Sequence, residues 1–184
     1  NPELVGGCSR RSSEFEPDSV YRFIETRRGL LDGVVTSGGE PTLQADLYDL
    51  CRHIKEMDYP VKLDTNGSRP QVLERLIADE LVDYIAMDLK TDPVKYATYI
   101  QSNCNVSAIL SSIEIIMESK VAYEFRTTCV KPIVTTQIIE NICRLIENAR
   151  AYVLQRFHKS DMLHPEFFKE ANYEYNDAEL MQLK

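Results

Sequence analysis

The sequence predicts an α/β fold built on a parallel sheet, because strand-like and helix-like segments alternate five times without a hairpin signal. Polar or charged residues stand at the end of each predicted strand, as expected where the carboxyl ends of parallel strands meet at one edge. The chain has 184 residues, of which 43% are hydrophobic and 27% charged. This length and composition suit a single domain over residues 1–184, in which residues 158–184 form a C-terminal tail.

The predicted elements begin with a helix that has Pro17 near its first turn and Val20, Phe23, Ile24 and Leu30 facing inward. The later elements follow from apolar periodicity and from the positions of Pro and Gly. In chain order they are a strand at 34–36, a helix from about 43, a strand at 61–67, a helix from 70, a strand at 84–90, a short helix after 92, a helix at 106–118, a strand at 122–128, a helix at 136–149, a strand at 151–157 and a last helix from 177.

The turn after the first predicted strand is the most informative stretch of the chain. Val34-Val35-Thr36 suits a buried strand, and Gly38-Gly39 removes two side chains where it ends, so a ligand can approach bare backbone there. Glu40 lies at the mouth of this turn, where a carboxylate can bind an ammonium group and would repel a phosphate. Pro41 fixes φ for the next helix. The stretch therefore indicates either a plain strand-to-helix turn or a site for a cationic group.

The later strands also end in polar side chains, and together with Glu40 these are expected to share one edge of the sheet. They are Asp64, Thr65, Asn66, Asp88, Lys90, Arg126 and Gln155. Arg126 is costly to bury inside an apolar strand without a partner, so its position favours a cofactor or ion-pair role. A row of such residues predicts a ligand site at the carboxyl edge.

Charge and cysteine content exclude several classes of protein. The formal charge is −8 with a pI near 5.0, and no run of Lys or Arg occurs, which argues against nucleic acid or an anionic membrane as partner. No apolar stretch approaches the ~20 residues of a membrane span, so a cytoplasmic protein is expected. The five cysteines are widely spaced, which fits a reducing compartment. Cys51 and Cys143 are predicted to pack in the core, and Cys8 to be accessible.

Three motifs in this order resemble a known family. Ser37-Gly38-Gly39-Glu40-Pro41, Asp64-Thr65-Asn66-Gly67 and Met87-Asp88-Leu89-Lys90 resemble the radical S-adenosylmethionine enzymes, and within them the activating enzymes of glycyl radical proteins. Phe125-Arg126-Thr127-Thr128 and Leu154-Gln155-Arg156-Phe157 are most similar to the activating proteins of anaerobic ribonucleoside-triphosphate reductase. The resemblance extends from Asn1 to about Phe157.

The resemblance implies a partial (β/α) barrel that holds a [4Fe–4S] cluster and S-adenosylmethionine. In this family the cluster cleaves the sulfonium, and the resulting deoxyadenosyl radical takes a hydrogen atom from a glycine of the partner. The implied partners are therefore a glycyl radical enzyme and a flavodoxin-like or other reductant. A pyruvate formate-lyase-type activating enzyme is the alternative within the family.

The family's site residues carry over to three groups in this chain. The motif that holds the methionine amino group corresponds to Gly38, Gly39, Glu40 and Pro41. Positions that line the cofactor correspond to Asn66, Lys90 and Arg126. A monovalent-cation site corresponds to Asp64, Thr65 and Asp88, and oxygen ligands suit such an ion. The alternative for Asp64 and Asp88 is that they only cap the adjacent strand-to-helix turns.

The chain departs from the family at its beginning. Members bind the cluster through a CxxxCxxC loop and commonly continue after it with His-Asn-Pro-Glu-Leu, whereas this sequence starts at Asn1-Pro2-Glu3-Leu4. None of its five cysteines has the spacing to replace that loop. We therefore expect the first strand and the cluster ligands to be missing from these residues, the 34–37 strand to have an exposed edge, and the fragment to be inactive alone.

Two interpretations outside the family remain open. A barrel without a cluster could use its mouth to bind a partner protein. An unrelated barrel enzyme of the aldolase type could use Lys90 as a Schiff-base amine, although this leaves the Gly-Gly-Glu-Pro stretch unexplained.

Overall fold

The computed structural model describes residues 17–99, 105–158 and 173–183, in which strands and helices alternate. The strands are β1 (Val34–Thr36), β2 (Val61–Thr65), β3 (Tyr84–Asp88), β4 (Ala122–Cys129) and β5 (Tyr152–Arg156). The α-helices are α1 (Pro17–Glu25), α2 (Leu47–Glu56), α3 (Pro70–Ala78), α4 (Tyr96–Tyr99), α5 (Val106–Glu118), α6 (Thr136–Leu145) and α7 (Asp177–Gln182), and short 3-10 helices span Pro41–Leu43 and Pro93–Lys95.

The five strands form one parallel sheet in the order β1-β2-β3-β4-β5. Each strand thus pairs with its neighbour in the chain, and the segment between them crosses over one face of the sheet. This confirms the predicted α/β class, since consecutive parallel strands with intervening helices form an incomplete (β/α) barrel. In the part of the chain that the structure describes, β1 and β5 are the edge strands.

The two faces of the sheet differ in chemistry. Side chains that point towards the helices form the main core, where Leu63, Ile85, Met87 and Phe125 are fully buried among apolar residues of α2, α3, α5 and α6. The alternate residues of the same strands point to the opposite, concave face and are mainly charged. This alternation of period two places the ionisable groups where the interior of a barrel would be.

Two predictions of buried side chains are wrong at the ends of helices. Phe23 and Leu30 are 53% and 79% exposed, whereas Ile24 is buried. α1 ends at Glu25, so Leu30 lies beyond the helix, next to Gly29 with its φ of 77°. Phe23 is one position away from the buried face of the helix and packs its ring against the Arg27 guanidinium at 3.5 Å.

Cys143 is exposed, which contradicts the prediction that it packs in the core, while Cys51 is buried as predicted. The buried face of α6 passes through Ile138, Ile139 and Ile142, and Cys143 follows one residue later, on the solvent side. Cys8 lies outside the described residues.

The helix bounds differ from the sequence pattern at three points. α1 ends at Glu25, short of Leu30, and α6 ends at Leu145 instead of near residue 149. α2 begins at Leu47 instead of near residue 43. The Pro41–Leu43 turn comes first, and Gln44 then takes an extended backbone conformation with φ −81° and ψ 128°. α7 begins at the predicted residue, where Asn176 and Glu179 form a reciprocal capping box. None of the helices in the described ranges is long and apolar enough to cross a bilayer.

Candidate functional site

A small polar cavity of about 100 Å³ lies at the carboxyl edge of the sheet. Its lining residues are Ser37, Gly38, Gly39, Glu40, Asp64, Thr65, Asn66, Asp88, Lys90 and Arg126. All of the predicted site residues are in this set except Pro41, which is buried behind Glu40 as the first residue of the 3-10 turn, and Gln155. Four strand ends thus contribute to one cavity, as expected where the carboxyl ends of parallel strands converge.

The strand register explains which side chains meet. Asp88 on β3 is the register partner of Arg126 on β4. Asp64 on β2 is level with Ala86 on β3 and, through it, with Glu124 on β4. Because Ala86 has only a methyl group, longer side chains on the two flanking strands can approach each other above it.

Glu40 joins the turns after β1 and β2 through four hydrogen bonds. Its Oε1 accepts from the Thr42 amide at 3.2 Å, the Thr42 hydroxyl at 2.6 Å and the Thr65 hydroxyl at 2.7 Å. Its Oε2 accepts from the Asn66 amide at 2.6 Å. The residue is only 8% exposed, so most of the acceptor capacity of the carboxylate is used inside the protein, and the remaining capacity is on Oε2.

Gly38 supplies an open position beside this carboxylate. Its φ is 138°, a value that favours glycine, and a Cβ placed on it would meet no atom within 4 Å. Gly67 is different, since its φ is 73° and a Cβ there would clash with the end of the buried Met87 side chain, so backbone conformation and packing both favour glycine. The space beside Gly38 is therefore available to a ligand.

Asn66 and Thr65 form the rim of the cavity after β2. The Asn66 side-chain oxygen accepts from the Ser68 amide at 2.9 Å, which leaves its amide NH2 group available. The Thr65 hydroxyl accepts from the Gly67 amide at 3.1 Å and donates to Glu40. These bonds fix the turn in the conformation that presents Asn66 to the cavity.

Arg126 lies between two carboxylates. Its Nε is 2.9 Å from Asp88 Oδ1, and its Nη1 is 3.4 Å from Asp64 Oδ2. Burial by itself lowers the pKa of Arg126, but Asp88 and then Asp64 outweigh burial and raise that pKa above its ordinary value. Lys90 Nζ is 3.6 Å from the other oxygen of Asp88 and has a 48% exposed side chain, so Lys90 is the more accessible of the two cations.

The ion pairs continue below the cavity to side chains that the sequence reasoning missed. Lys62 Nζ lies 3.6 Å from Glu124 Oε1, 3.9 Å from Asp64 Oδ1 and 5.1 Å from the ring centroid of Tyr84. Burial and then Glu124 raise the pKa of Tyr84. The signal was available, since Lys62 and Glu124 each stand two residues before a predicted site residue and thus on the same face of the strand.

A second, larger cavity of about 280 Å³ shares Asp88, Lys90 and Arg126 with the first. Its other lining residues are Leu89, Thr128, Val130, Ile133, Val134 and Phe157. The two cavities together offer a charged end and a mainly apolar wall. Leu89, Thr128 and Phe157 belong to segments that carry the family resemblance. Val130, Ile133 and Val134 lie in the loop after β4, which carries no motif, so the sequence analysis did not identify this part of the wall.

The described residues contain no group of three or more His, Cys, Asp or Glu side chains arranged to hold a metal ion. His158, the residue after Phe157, is exposed.

Comparisons with known proteins agree with this geometry. The family model of the radical SAM superfamily matches residues 8–146, so the chain belongs to that superfamily. Within it, the chain is similar to two proteins of Methanocaldococcus jannaschii that are each proposed to be a glycyl-radical enzyme activating enzyme. MJ1227 is 37% identical over 143 residues, which is 75% of this chain and 60% of the relative. MJ1632 is 31% identical over 122 residues, which is 64% of this chain and 46% of the relative.

A solved domain of a pyruvate-formate lyase-activating enzyme from Bacteroides vulgatus has the same fold, with a TM-score of 0.64 and 17% identity. The similarity covers 83% of this chain and 91% of that domain. The chain therefore has the partial barrel of radical SAM enzymes, and it spans about half of the length of the curated relatives it matches.

Proposed function

We propose that this chain is the S-adenosylmethionine-binding core of an enzyme that activates a glycyl radical enzyme. The observation that carries the proposal is the convergence of three separate motifs on one polar cavity at the carboxyl edge. The similarity to MJ1227, a protein proposed to have this activity, supports the same class.

The two cavities fit the chemistry of S-adenosylmethionine, which has a zwitterionic amino-acid end and a nucleoside base with flat aromatic faces. The remaining acceptor capacity of Glu40 Oε2 and the open position at Gly38, next to the exposed Gly39, suit the ammonium group. Lys90 and Arg126 suit its carboxylate or ribose oxygens, and Asn66 adds an amide donor. The apolar wall of the 280 Å³ cavity suits the adenine ring.

The [4Fe–4S] cluster would supply the electron that cleaves the bound sulfonium, and its cysteine ligands are proposed to lie outside these 184 residues. The chain has five cysteines, none of them in a CxxxCxxC spacing. The role left to this chain is to bind the cofactor and orient its sulfonium. Incubation of the 184-residue chain with iron, sulfide and reductant should accordingly give no [4Fe–4S] absorption, and a clean cluster spectrum would contradict this assignment.

Ligand binding is the direct test of the site. Calorimetry with S-adenosylmethionine should detect weak binding to the chain, and Glu40→Ala and Lys90→Ala should each remove it. Lys120→Ala, at an exposed lysine before β4, is the matched control and should leave binding unchanged. If both site variants bound as well as the parent chain, the pocket assignment would be wrong.

The proposed target is an anaerobic ribonucleotide reductase, on the basis of the segments at 125–128 and 154–157. The intact protein with its cluster should produce a glycyl radical signal in electron paramagnetic resonance on such a reductase. The alternative within the family predicts that signal on a pyruvate formate-lyase. A protein-binding module predicts no radical on either target and no CxxxCxxC motif ending two residues before Asn1 in the natural protein.

A monovalent cation at Asp64, Thr65 and Asp88 is supported by a single observation. Asp64 Oδ1 is buried and accepts no hydrogen bond. Arg126 already places positive charge between the two carboxylates, so the ion is not needed for charge balance there. Cofactor binding that is tighter in potassium chloride than in tetramethylammonium chloride of equal ionic strength would support the ion, and equal affinity would exclude it.

The Schiff-base alternative gains no support, because Lys90 Nζ is engaged in an ion pair with Asp88.

A further inference from the structure

The wall of the 280 Å³ cavity depends on a part of the chain that is distant in sequence. Val130, Ile133 and Val134 line the cavity from the loop between β4 and α6, residues 130–135. Residues 173–183, which include α7, pack against this loop. We refer to residues 173–183 as the C-terminal strap.

Lys131 makes polar contacts to the strap with both its backbone and its side chain. Its backbone amide donates to the Tyr173 carbonyl at 3.0 Å, and its Nζ is 2.7 Å from Glu179 Oε1. The same ammonium group lies 4.7 Å from the ring centroid of Tyr175. A single residue next to the cavity wall is thus held at its backbone and at its side chain.

Two further contacts connect the strap to the site. The Tyr175 hydroxyl donates to the carbonyl of Val134, a fully buried residue that lines the cavity. Arg156, at the end of β5, pairs with Asp177 at the start of α7. Phe157, the next residue after Arg156, is also part of the cavity wall.

The apolar contacts of the loop belong to a cluster that is separate from the main core. Cys129, Val134, Ile139 and Leu183 form this second cluster, and partly buried residues of the strap, Tyr175 and Leu180, pack against it. The main core therefore does not by itself fix the wall, since part of the apolar surface that buries Val134 comes from the strap.

The strap in turn depends on the loop. α7 has six residues, and a helix of that length is not stable in water on its own, even with a capping box. Its order must come from packing against the rest of the chain, and the 130–135 loop supplies part of that contact. The two segments therefore stabilise each other. A ligand that binds the ordered wall favours the docked strap, and the docked strap favours binding of that ligand by the same coupling free energy.

We propose that the C-terminal strap positions the 130–135 loop for cofactor binding, with Lys131 and Tyr175 as the positioning residues. Binding in the 280 Å³ cavity and docking of the strap are thereby coupled. The inference rests on the proposed function for the identity of the ligand, S-adenosylmethionine, but the dependence of the loop on the strap holds without a ligand.

The test uses the complete chain with Lys131→Met, Tyr175→Phe and the double variant. Tyr175→Phe keeps the ring and removes only the hydroxyl that donates to Val134. Tyr48→Phe is the matched control, since it removes a tyrosine hydroxyl that donates at 2.7 Å to Asp79, away from the cavity. Hydrogen exchange of residues 130–135 without ligand is measured first, followed by calorimetry with S-adenosylmethionine.

Exchange in the loop should become faster in both single variants and faster still in the double variant, whereas Tyr48→Phe should leave it unchanged. Each single variant should weaken cofactor binding by about two- to tenfold, the equivalent of one net hydrogen bond. Unchanged loop exchange in the double variant would overturn the proposal, whatever the ligand. Faster loop exchange together with no cofactor binding by the parent chain would instead contradict the proposed function and leave the coupling of loop and strap intact.

Discussion

The Glu40 carboxylate accepts four hydrogen bonds, from Thr42, Thr65 and Asn66, at the point where the turns after β1 and β2 meet. Its side chain therefore has a structural role in addition to any contact with a ligand. The sequence suggested a carboxylate free to bind an ammonium group, but the geometry leaves only part of its acceptor capacity for that purpose. The conformation of Glu40 depends on its donors, and among them Thr42 is the one that does not line the polar cavity.

Thr42→Val tests the structural role of Glu40. The hydroxyl of Thr42 donates to Glu40 at 2.6 Å, and valine keeps the shape of the side chain without the donor. Because a hydrogen bond to a charged acceptor contributes about 1.5–3 kcal/mol, and two other donors to Oε1 remain, we expect a loss near the lower value, about 1.5 kcal/mol, in urea unfolding. Cofactor binding should weaken as well, since Glu40 is less firmly oriented.

The control for this prediction is Thr26→Val. Thr26 is exposed, and its hydroxyl donates at 3.0 Å to the Phe23 carbonyl, so the change there should stay within about 0.5 kcal/mol. Equal stability of Thr42→Val and the parent chain would mean that Glu40 is held equally well by its other donors.

At the scale of the element, α2 shows how the helices contribute to the stability of the sheet. Cys51 lies on its buried face with Leu47 and Ile54, against the apolar side of the strands. Burial raises the pKa of the Cys51 thiol from about 9 to about 11. The folded state thus retains a proton that the unfolded state loses at lower pH.

This difference predicts an alkaline loss of stability that can be assigned to one residue. The unfolded thiol ionises near pH 9 and the folded one near pH 11, so the free energy of unfolding is unaffected below pH 9 and falls as the pH rises through this window. The fall amounts to about 1.4 kcal/mol for each unit of pKa difference. Cys51→Ala should be less stable than the parent chain by about 1 kcal/mol at pH 8, because it leaves a small cavity. That gap should narrow or reverse by pH 11.

Unfolding by urea at pH 8, 9, 10 and 11 is the measurement, and Cys143→Ala, at an exposed cysteine of α6, is the matched control. Groups whose raised pKa does not depend on either cysteine, such as Tyr84 with its burial and its neighbour Glu124, act equally in all three proteins and cancel in the comparison. A constant difference between Cys51→Ala and the parent chain at every pH would contradict the prediction.

At the scale of the whole molecule, the sequence predicted the alternation of elements and the edge where the site lies, because both follow from local patterns. Strand C-termini are marked by polar residues such as Asp64 and Asp88, and parallel pairing brings them together. The pairing of Arg126 with both of these carboxylates is not local, since it depends on the register of three strands and on the small side chain of Ala86. The role of the C-terminal strap is even less local, because Tyr175 and Lys131 are brought together only by the fold.

The wrong predictions concern local details that an apolar pattern does not resolve. Phe23 and Cys143 each lie one position from a buried residue, Ile24 and Ile142, and a helical pattern read from sequence does not resolve such a step at the margin of an apolar face. The late start of α2 follows from the Pro41–Leu43 turn, where the Glu40 side chain accepts from the Thr42 amide and Gln44 then takes an extended conformation.

The edge of the sheet at β1 leads to a prediction about association. In the described residues β1 pairs only with β2, and Val35 on its concave face is 57% exposed. An unpaired edge that carries an exposed β-branched apolar side chain favours pairing with another chain. The 184-residue chain should therefore self-associate as its concentration rises, as measured by light scattering.

Val35→Thr tests this edge. It keeps a β-branched side chain and should reduce the association, while the free energy of unfolding changes by no more than about 0.5 kcal/mol. Leu30→Thr replaces an even more exposed side chain, 79% accessible, outside the sheet, and should leave association unchanged. A parent chain that stays monomeric, or association that Val35→Thr does not alter, would show that this edge is not the contact surface.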